Sequence, residues 1–304
     1  MSAHKKKVYS VVLIWSVTAI IALTVALIIG NALKKASDKI PEYTEGSLEI
    51  YQYTGQDVPP VNAIMLDLSG ETDSTIENTV KSLPSDTSAV SLYLRTASGV
   101  TAYRSDVALA VVGNAGGSID LVNLVELLHS KDIYVSVCFF VNSPNTKSGA
   151  GFDAAVQYES ALISEVLSTG VDDIILTGLP SDSDGIAKAS LLFSEIRKAC
   201  ADTAFIGASI KYTTMISDSG ALALTGYLSF ADFCAIDTDG TKAAGIHAQE
   251  VVQTLSYHFS AYPLRLLVET YGESDRASTI SALNSLGICN IQEHKSATAL
   301  APMG

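Results

Sequence analysis

The side chains able to do chemistry fall at the carboxyl ends of segments that read as β-strands. Asp67 and Glu71 follow the first, Arg95 ends the second, Asn142 follows the third, and Lys211 and Tyr212 follow the fifth. Asp237 and Asp239 follow the sixth, Glu269 and Tyr271 sit at the seventh, and Glu293 comes after the eighth. Hydrolysis of a glycosidic bond needs two carboxyl groups across it, one protonated to assist the leaving oxygen and one ionised as base or nucleophile. Asp237 and Glu269 on neighbouring strands meet that need, with Asp67 as a further catalytic candidate. Apolar neighbours such as Phe233 and Leu267 would raise the pKa of one of the pair. Arg95, Asn142, Lys211, Tyr212 and Tyr271 are then the substrate-binding candidates. Each acid taken alone fits a solvated loop carboxylate or a helix N-cap equally well.

Other chemistries find no pattern. His129, His247, His258 and His294 have neither H-x-x-x-H nor cysteine partner spacing, and G-x-S-x-G and Walker loops are absent. No metal or cofactor is expected. The glycine-rich cluster 113–117 reads as a connector before a helix capped by Ser118 or Asp120, with an anion cradle as the alternative.

Strand-like runs cover 63–68, 89–95, 134–140, 173–177, 204–210, 233–237, 265–270 and 288–292. Between them lie helix-like stretches at 74–83, 119–130, 154–168, 186–201, 220–226, 243–257 and 276–286. The stretch 119–130 puts Leu121, Leu124, Val125 and Leu128 on one face, the spacing of a helix packed on one side. Eight strands alternating with helices predict an α/β protein, a (β/α)8 TIM-type barrel at 61–304. The alternative is an open doubly wound sheet, but Asp67-Leu68-Ser69-Gly70-Glu71 after the first strand is not G-x-G-x-x-G.

Ahead of the barrel, residues 8–29 carry no charge, and at ~1.5 Å per helical residue such a run crosses a hydrocarbon core of roughly 30 Å. The expectation is a cytoplasmic tail at 1–7, a single transmembrane signal anchor at 8–30 and a stalk at 31–60 ending in Pro59-Pro60. A cleaved signal peptide is the competing reading, with Lys5 to Lys7 as its basic region, although the apolar run exceeds the ~7 to 15 residues usual there. Lysines flank the run on both sides, so the short tail and the exported family described below place the barrel outside the cytoplasm at the cell membrane. Residues 34–304 hold 16 basic and 32 acidic side chains, a formal charge of −16, which disfavours nucleic acid and anionic lipid as partners. Cys138, Cys234 and Cys289 lie in apolar runs and Cys200 near a helix end, so buried free thiols are expected rather than disulfides.

The stretch LYLRTASGVTAYRSDVALA followed by IDLVNLVELLHSKDIYVSVCFFVNSP resembles a glycosyl hydrolase family of exported bacterial (β/α)8 barrels. Members of that family show a strand ending in a charged pair, then Ser-Gly-x-Val-x-Tyr-x-Ser, a helix and a Gly-Ile-Tyr-Val strand. STGVDDIILTGLP is similar to its fourth strand, keeping Gly170, Val171, Asp172, Asp173, Ile174 and Pro180. The family's strand-end Asp is replaced here by Thr177, followed by Gly178, and its Asp-Val-Lys after strand two by Arg95-Thr96. Thr177 cannot exchange a catalytic proton at neutral pH. Only an acid near Asp237 is retained, and Glu269 rests on strand position alone.

The apolar run and the lost strand-four acid of the resemblance together give the expectation of a membrane-anchored barrel that has lost catalysis and binds a cell-surface or cell-wall glycan or an envelope protein. The alternatives are an active glycosidase using Asp237 with Glu269 or Asp67, and an envelope assembly scaffold. A shortage of aromatics weakens the glycan readings: the one tryptophan, Trp15, is in the apolar run, leaving Tyr212, Tyr262 and Tyr271 to stack on sugars.

Overall fold

The computed structural model describes residues 58–108, 117–200, 204–238, 244–270, 273–287 and 290–293. Eight parallel strands close in sequence order: β1 Asn62–Leu66, β2 Ala89–Arg95, β3 Tyr134–Phe140, β4 Asp173–Thr177, β5 Phe205–Lys211, β6 Phe233–Asp237, β7 Leu264–Val268 and β8 Ile291–Glu293. Closure is made by β8, which pairs with β7 through Leu266↔Ile291 and with β1 through Asn62↔Ile291. The open sheet is thereby excluded. Of the predicted last strand 288–292, residues 288–289 lie outside the described residues, and β8 is described from Ile291. Asn290 accepts the Val61 N–H on its side-chain oxygen at 2.8 Å and the Leu266 N–H on its carbonyl at 2.9 Å, linking β1 and β7 just ahead of β8.

Helices on the outside are α1 Asp73–Lys81, α2 Leu121–His129, α3 Ala150–Leu167, α4 Ser183–Cys200, α5 Tyr212–Met215, α6 Gly220–Tyr227, α7 Ala244–Thr254, α8 Ser256–Ala261 and α9 Glu273–Asn284. Thr72 caps α1 in a reciprocal box with Thr75. Asp120 caps α2 by accepting from the Asn123 N–H at 3.1 Å, which decides between the two expected caps. The stretch expected as one helix over 243–257 is two, α7 and α8, separated at Leu255. Between β2 and α2, Gly117 approaches the backbone of Ala102 so closely that an added Cβ would lie 1.7 Å from its carbonyl oxygen. That glycine serves a connector. The rest of the cluster, 113–116, lies outside the described residues.

Among the described residues no helix is long and apolar enough to cross a membrane. The apolar run 8–29, the tail before it and the stalk up to residue 57 lie outside the described residues, as do Tyr271, Asp239 and His294.

Each strand buries one side against the helices and the other inside the barrel, the period-two consequence of the pleat. The helix side is the larger core, including Leu92, Leu94, Val137, Phe139, Leu176, Phe193 and Leu266, each fully buried. The inner side stacks Tyr93, Cys138, Ile175, Phe233, Ala235 and Leu267, with Val58 and Phe205 packed against the stack. Gly207 makes room for the Phe233 ring, whose Cε2 would lie 2.5 Å from a Cβ there. Cys138 and Cys234 are buried free thiols, and burial pushes the Cys138 thiol up to about 12.

Candidate functional site at the carboxyl end of the barrel

Alternation from the inner stack assigns the mouth. Counting up each strand in steps of two from Ala63, Tyr93, Ile175, Gly207, Ala235 and Leu267 puts Asp67, Thr177, Lys211, Asp237 and Glu269 on the inward side above Tyr93. Asp67 and Lys211 are exposed, Asp237 is half-buried, and Glu269 is 5% exposed. Lys211 and Asp237 are direct register partners across β5 and β6, which puts an ammonium beside a carboxylate in the mouth. Asp237 is in register with Leu267, so Glu269 stands one pleat higher on the next strand. With strands ~4.8 Å apart and a rise of ~3.3 Å per residue, the two backbones are about 8 Å from each other. The Asp67 carboxylate accepts the Ser69 N–H at 3.0 Å and shapes the turn after β1.

Tyr93, which motif reasoning passed over, is the phenol at the floor of this mouth. Its pKa is raised well above the ordinary phenol value, first by burial and then by the charges of Cys138 and Asp237, while the Thr177 hydroxyl pulls it partly back. It therefore acts as a neutral hydroxyl. Strict alternation along β2 from Ser91 through Tyr93 would have found it.

Several predicted binding residues are elsewhere. A register irregularity between Tyr93 and Arg95 breaks the alternation at the end of β2 and turns Arg95 outward. Its Nη1 donates to Glu159 of α3 at 2.7 Å and to the Phe140 carbonyl at 2.8 Å, and the guanidinium lies against the Phe139 and Tyr158 rings. Glu159 also accepts the N–H groups of Asn142 and Ser143, at 2.7 and 2.9 Å. Arg95 is thus a strap for the turn after β3, and the Asn142 side chain is exposed on that turn. Tyr212 is buried against the His247 ring of α7, with its hydroxyl 3.4 Å from Thr254. Tyr262 stacks on His258 immediately before β7, at the amino end of the barrel. Glu293 falls on the outer side of β8, where its carboxylate pairs with Arg276 at 3.0 Å and accepts the Met65 N–H at 3.0 Å.

The segment Ser98-Gly99-Val100-Thr101-Ala102-Tyr103-Arg104-Ser105 also has a structural use. Tyr103 and Ser105 both donate to the Glu165 carboxylate of α3, at 3.0 and 2.5 Å, and Asp106 gives it a backbone N–H at 3.0 Å. They tie the β2 loop to the barrel wall. A cavity of about 440 Å³ opens between this loop and the turn after β1, lined by Ser69, Glu71, Thr96, Val100 and Ser118 among others. The Ser118 hydroxyl there is already donated to the Glu71 carbonyl at 2.8 Å.

Lower in the barrel lies a polar network that sequence inspection did not find. Asp173 accepts from Arg265 Nη1 at 2.7 Å, from the Tyr134 hydroxyl at 2.7 Å and from Ser136. Gln292 joins Arg265, Ser136 and Ser91 at 3.1, 3.1 and 2.9 Å. Asp173 and Arg265 stand at the start of their strands and are at most 1% exposed. At that end of a TIM-type barrel such groups hold the structure together rather than meet substrate.

At the end of β4 the backbone itself bars an acid next to Thr177. Gly178 has φ of +81°, and a Cβ there would lie 2.5 Å from the Phe140 ring and 2.7 Å from the Val141 carbonyl oxygen.

No family model matches this chain, and no curated protein matches it. Among solved structures it is similar to the GH18 chitinase from Pseudoalteromonas aurantia, at 10% identity over 73% of this chain and 90% of that one, with a TM-score of 0.49. It is also similar to the Bacillus cereus spore cortex-lytic enzyme SleL, at 7% identity over 73% of this chain and 67% of that one, with a TM-score of 0.46. A D-allulose 3-epimerase from Methylomonas sp. matches at 11% identity over 77% and 84% of the two chains, with a TM-score of 0.45. The likeness is to barrels, an architecture that hosts unrelated chemistries.

Proposed function

We propose that this protein is a membrane-tethered, extracytoplasmic barrel of glycoside-hydrolase type that holds a glycan of the cell envelope without cleaving it. The carboxyl end of β4 carries the reading. Thr177 there is 7% exposed and cannot shuttle a proton, and the left-handed Gly178 beside it has no room for a side chain. The mouth offers Lys211, Asp237, Glu269 and the Tyr93 hydroxyl as hydrogen-bonding groups, a set suited to a polyhydroxylated ligand. The apolar run at 8–29 supports tethering.

One observation favours an active glycosidase instead: Asp237 and Glu269 both fall on the inward side of adjacent strands. Purified full-length chain in detergent, offered a panel of cell-wall and plant glycans, separates the two. The expected outcome is binding with no new reducing ends, and weaker binding by the Asp237→Asn and Glu269→Gln variants. Product release by the parent chain that disappears in either variant would establish the glycosidase. Absence of glycan binding altogether would shift the reading to an envelope protein partner or a scaffold.

A further inference from the structure

We propose that the amino-terminal face of the barrel lies against the bilayer surface and that the mouth opens away from it. This inference rests on the tethering reading above.

All eight strands are parallel, so chain direction gives the barrel two distinct faces. β1 begins at Asn62 on the amino face, and the residues before it arrive there: Val58 packs with Phe205 against the inner stack. The uncharged run at 8–29 is separated from Val58 by the 28 residues 30–57, which span at most ~100 Å at ~3.3 to 3.6 Å per residue. A tether entering at this face brings it to the lipid first.

The faces also differ in charge. The described amino-face connections 82–88, 130–133, 168–172, 228–232 and 255–263 consist mainly of Ser, Thr, Gly and apolar or aromatic residues. Their exposed acids are Asp86 and Asp132, the latter beside Lys131. Asp172 is paired with His129 at 3.0 Å, and Asp232 is buried with Arg197. The opposite face is more densely charged with both signs, carrying exposed Asp67, Asp106, Asp182 and Asp218 together with exposed Arg104, Lys147 and Lys211. The strands β1 to β7, of five to seven residues, hold the two faces about 16 to 23 Å apart at ~3.3 Å per residue, well beyond a Debye length of ~8 Å at physiological salt. Residues 34–304, with a formal charge of −16, meet lipid at least cost through this sparsely charged face.

The aromatic content fits the same surface. α8 on the amino face has no buried residue, and its Tyr257 is 72% exposed, with His258 and Tyr262 stacked beside it. Tyrosines with an apolar ring and a polar tip settle at the headgroup level.

Trp15 is the one tryptophan, so Trp15→Phe gives a background in which a single reporter can be placed. Full-length Trp15→Phe/Tyr257→Trp and Trp15→Phe/Val100→Trp are reconstituted into phosphatidylcholine vesicles with brominated acyl chains. Val100, 44% exposed on the mouth side, reports the opposite face. The expected result is that the reporter at 257 loses about half of its emission and shifts to the blue while that at 100 is unchanged. Equal quenching at both, or stronger quenching at 100, overturns the orientation. Chain that floats with the vesicles but shows no quenching at either position leaves the tether standing and overturns the face assignment. Chain that does not float at all overturns the tether and the orientation together.

Discussion

Arg95 and Glu293 are both charged residues at strand ends, and both are turned away from the mouth to serve the wall of the barrel. Position along the chain is the same for a mouth residue and a wall residue, and only pleat parity separates them. For Arg95 the parity is altered by the irregularity after Tyr93, which the apolar pattern of β2 does not reveal. Glu293 carries a measurable signature of its location. Burial raises its pKa above the ordinary 4.5, and the Met65 N–H and Arg276 offset only part of that. A carboxyl that binds its proton more tightly folded than unfolded contributes stability below its ordinary pKa, and the contribution is lost as pH rises through the raised value. The unfolding free energy of the parent chain relative to Glu293→Gln is therefore expected to fall as pH is raised from 4.5 towards neutrality. Urea titrations at a series of pH values check this, and a flat difference would mean the carboxyl is not held in a desolvated site.

Across elements, the bond between β4 and β7 is the one with most at stake. Asp173 and Arg265 are an ion pair sealed inside the barrel, with the guanidinium 4.2 Å from the centre of the Phe233 ring. Removing one member leaves an uncompensated buried charge, and Arg265→Met is expected to cost about 3 to 5 kcal/mol in chemical denaturation. Removing both charges together, in Arg265→Met/Asp173→Leu, is expected to cost less than the single change. A single variant as stable as the parent would show that the pair is not sealed from water. The apolar strand read over 173–177 placed Asp173 correctly in β4. Its partner was not legible, because Arg265 lies 92 residues away and meets it only across a closed barrel.

At the scale of the molecule, closure depends on the shortest strand. β8 has three residues and joins β7 to β1. Ending the chain at residue 286 removes that strand and leaves the edges of β1 and β7, five residues each, unpaired. Such a truncation is expected to lose cooperative thermal unfolding and to aggregate. A sharp transition retained in the truncated chain would mean that the sheet is stable open. Closure also sets the polarity on which ligand access depends, since one face takes the incoming chain and the other gathers Lys211, Asp237 and Glu269.

Alternation of short apolar strands with one-sided helices is a local property, and the sequence by itself determined the (β/α)8 class, near-correct bounds for seven strands, and the position of Asp237 and Glu269 at the carboxyl ends of β6 and β7. Local pattern also predicted Lys211 at the mouth and the burial of Cys138 and Cys234. Tertiary structure alone decided that Arg95 is turned out of the mouth above Tyr93 and that Tyr212 packs against α7. It also decided that six polar side chains from five strands share one network beneath the site. Those outcomes depend on strand register, on a single irregular step and on distances across a closed sheet, none of which has a signature in the spacing of residues along one strand.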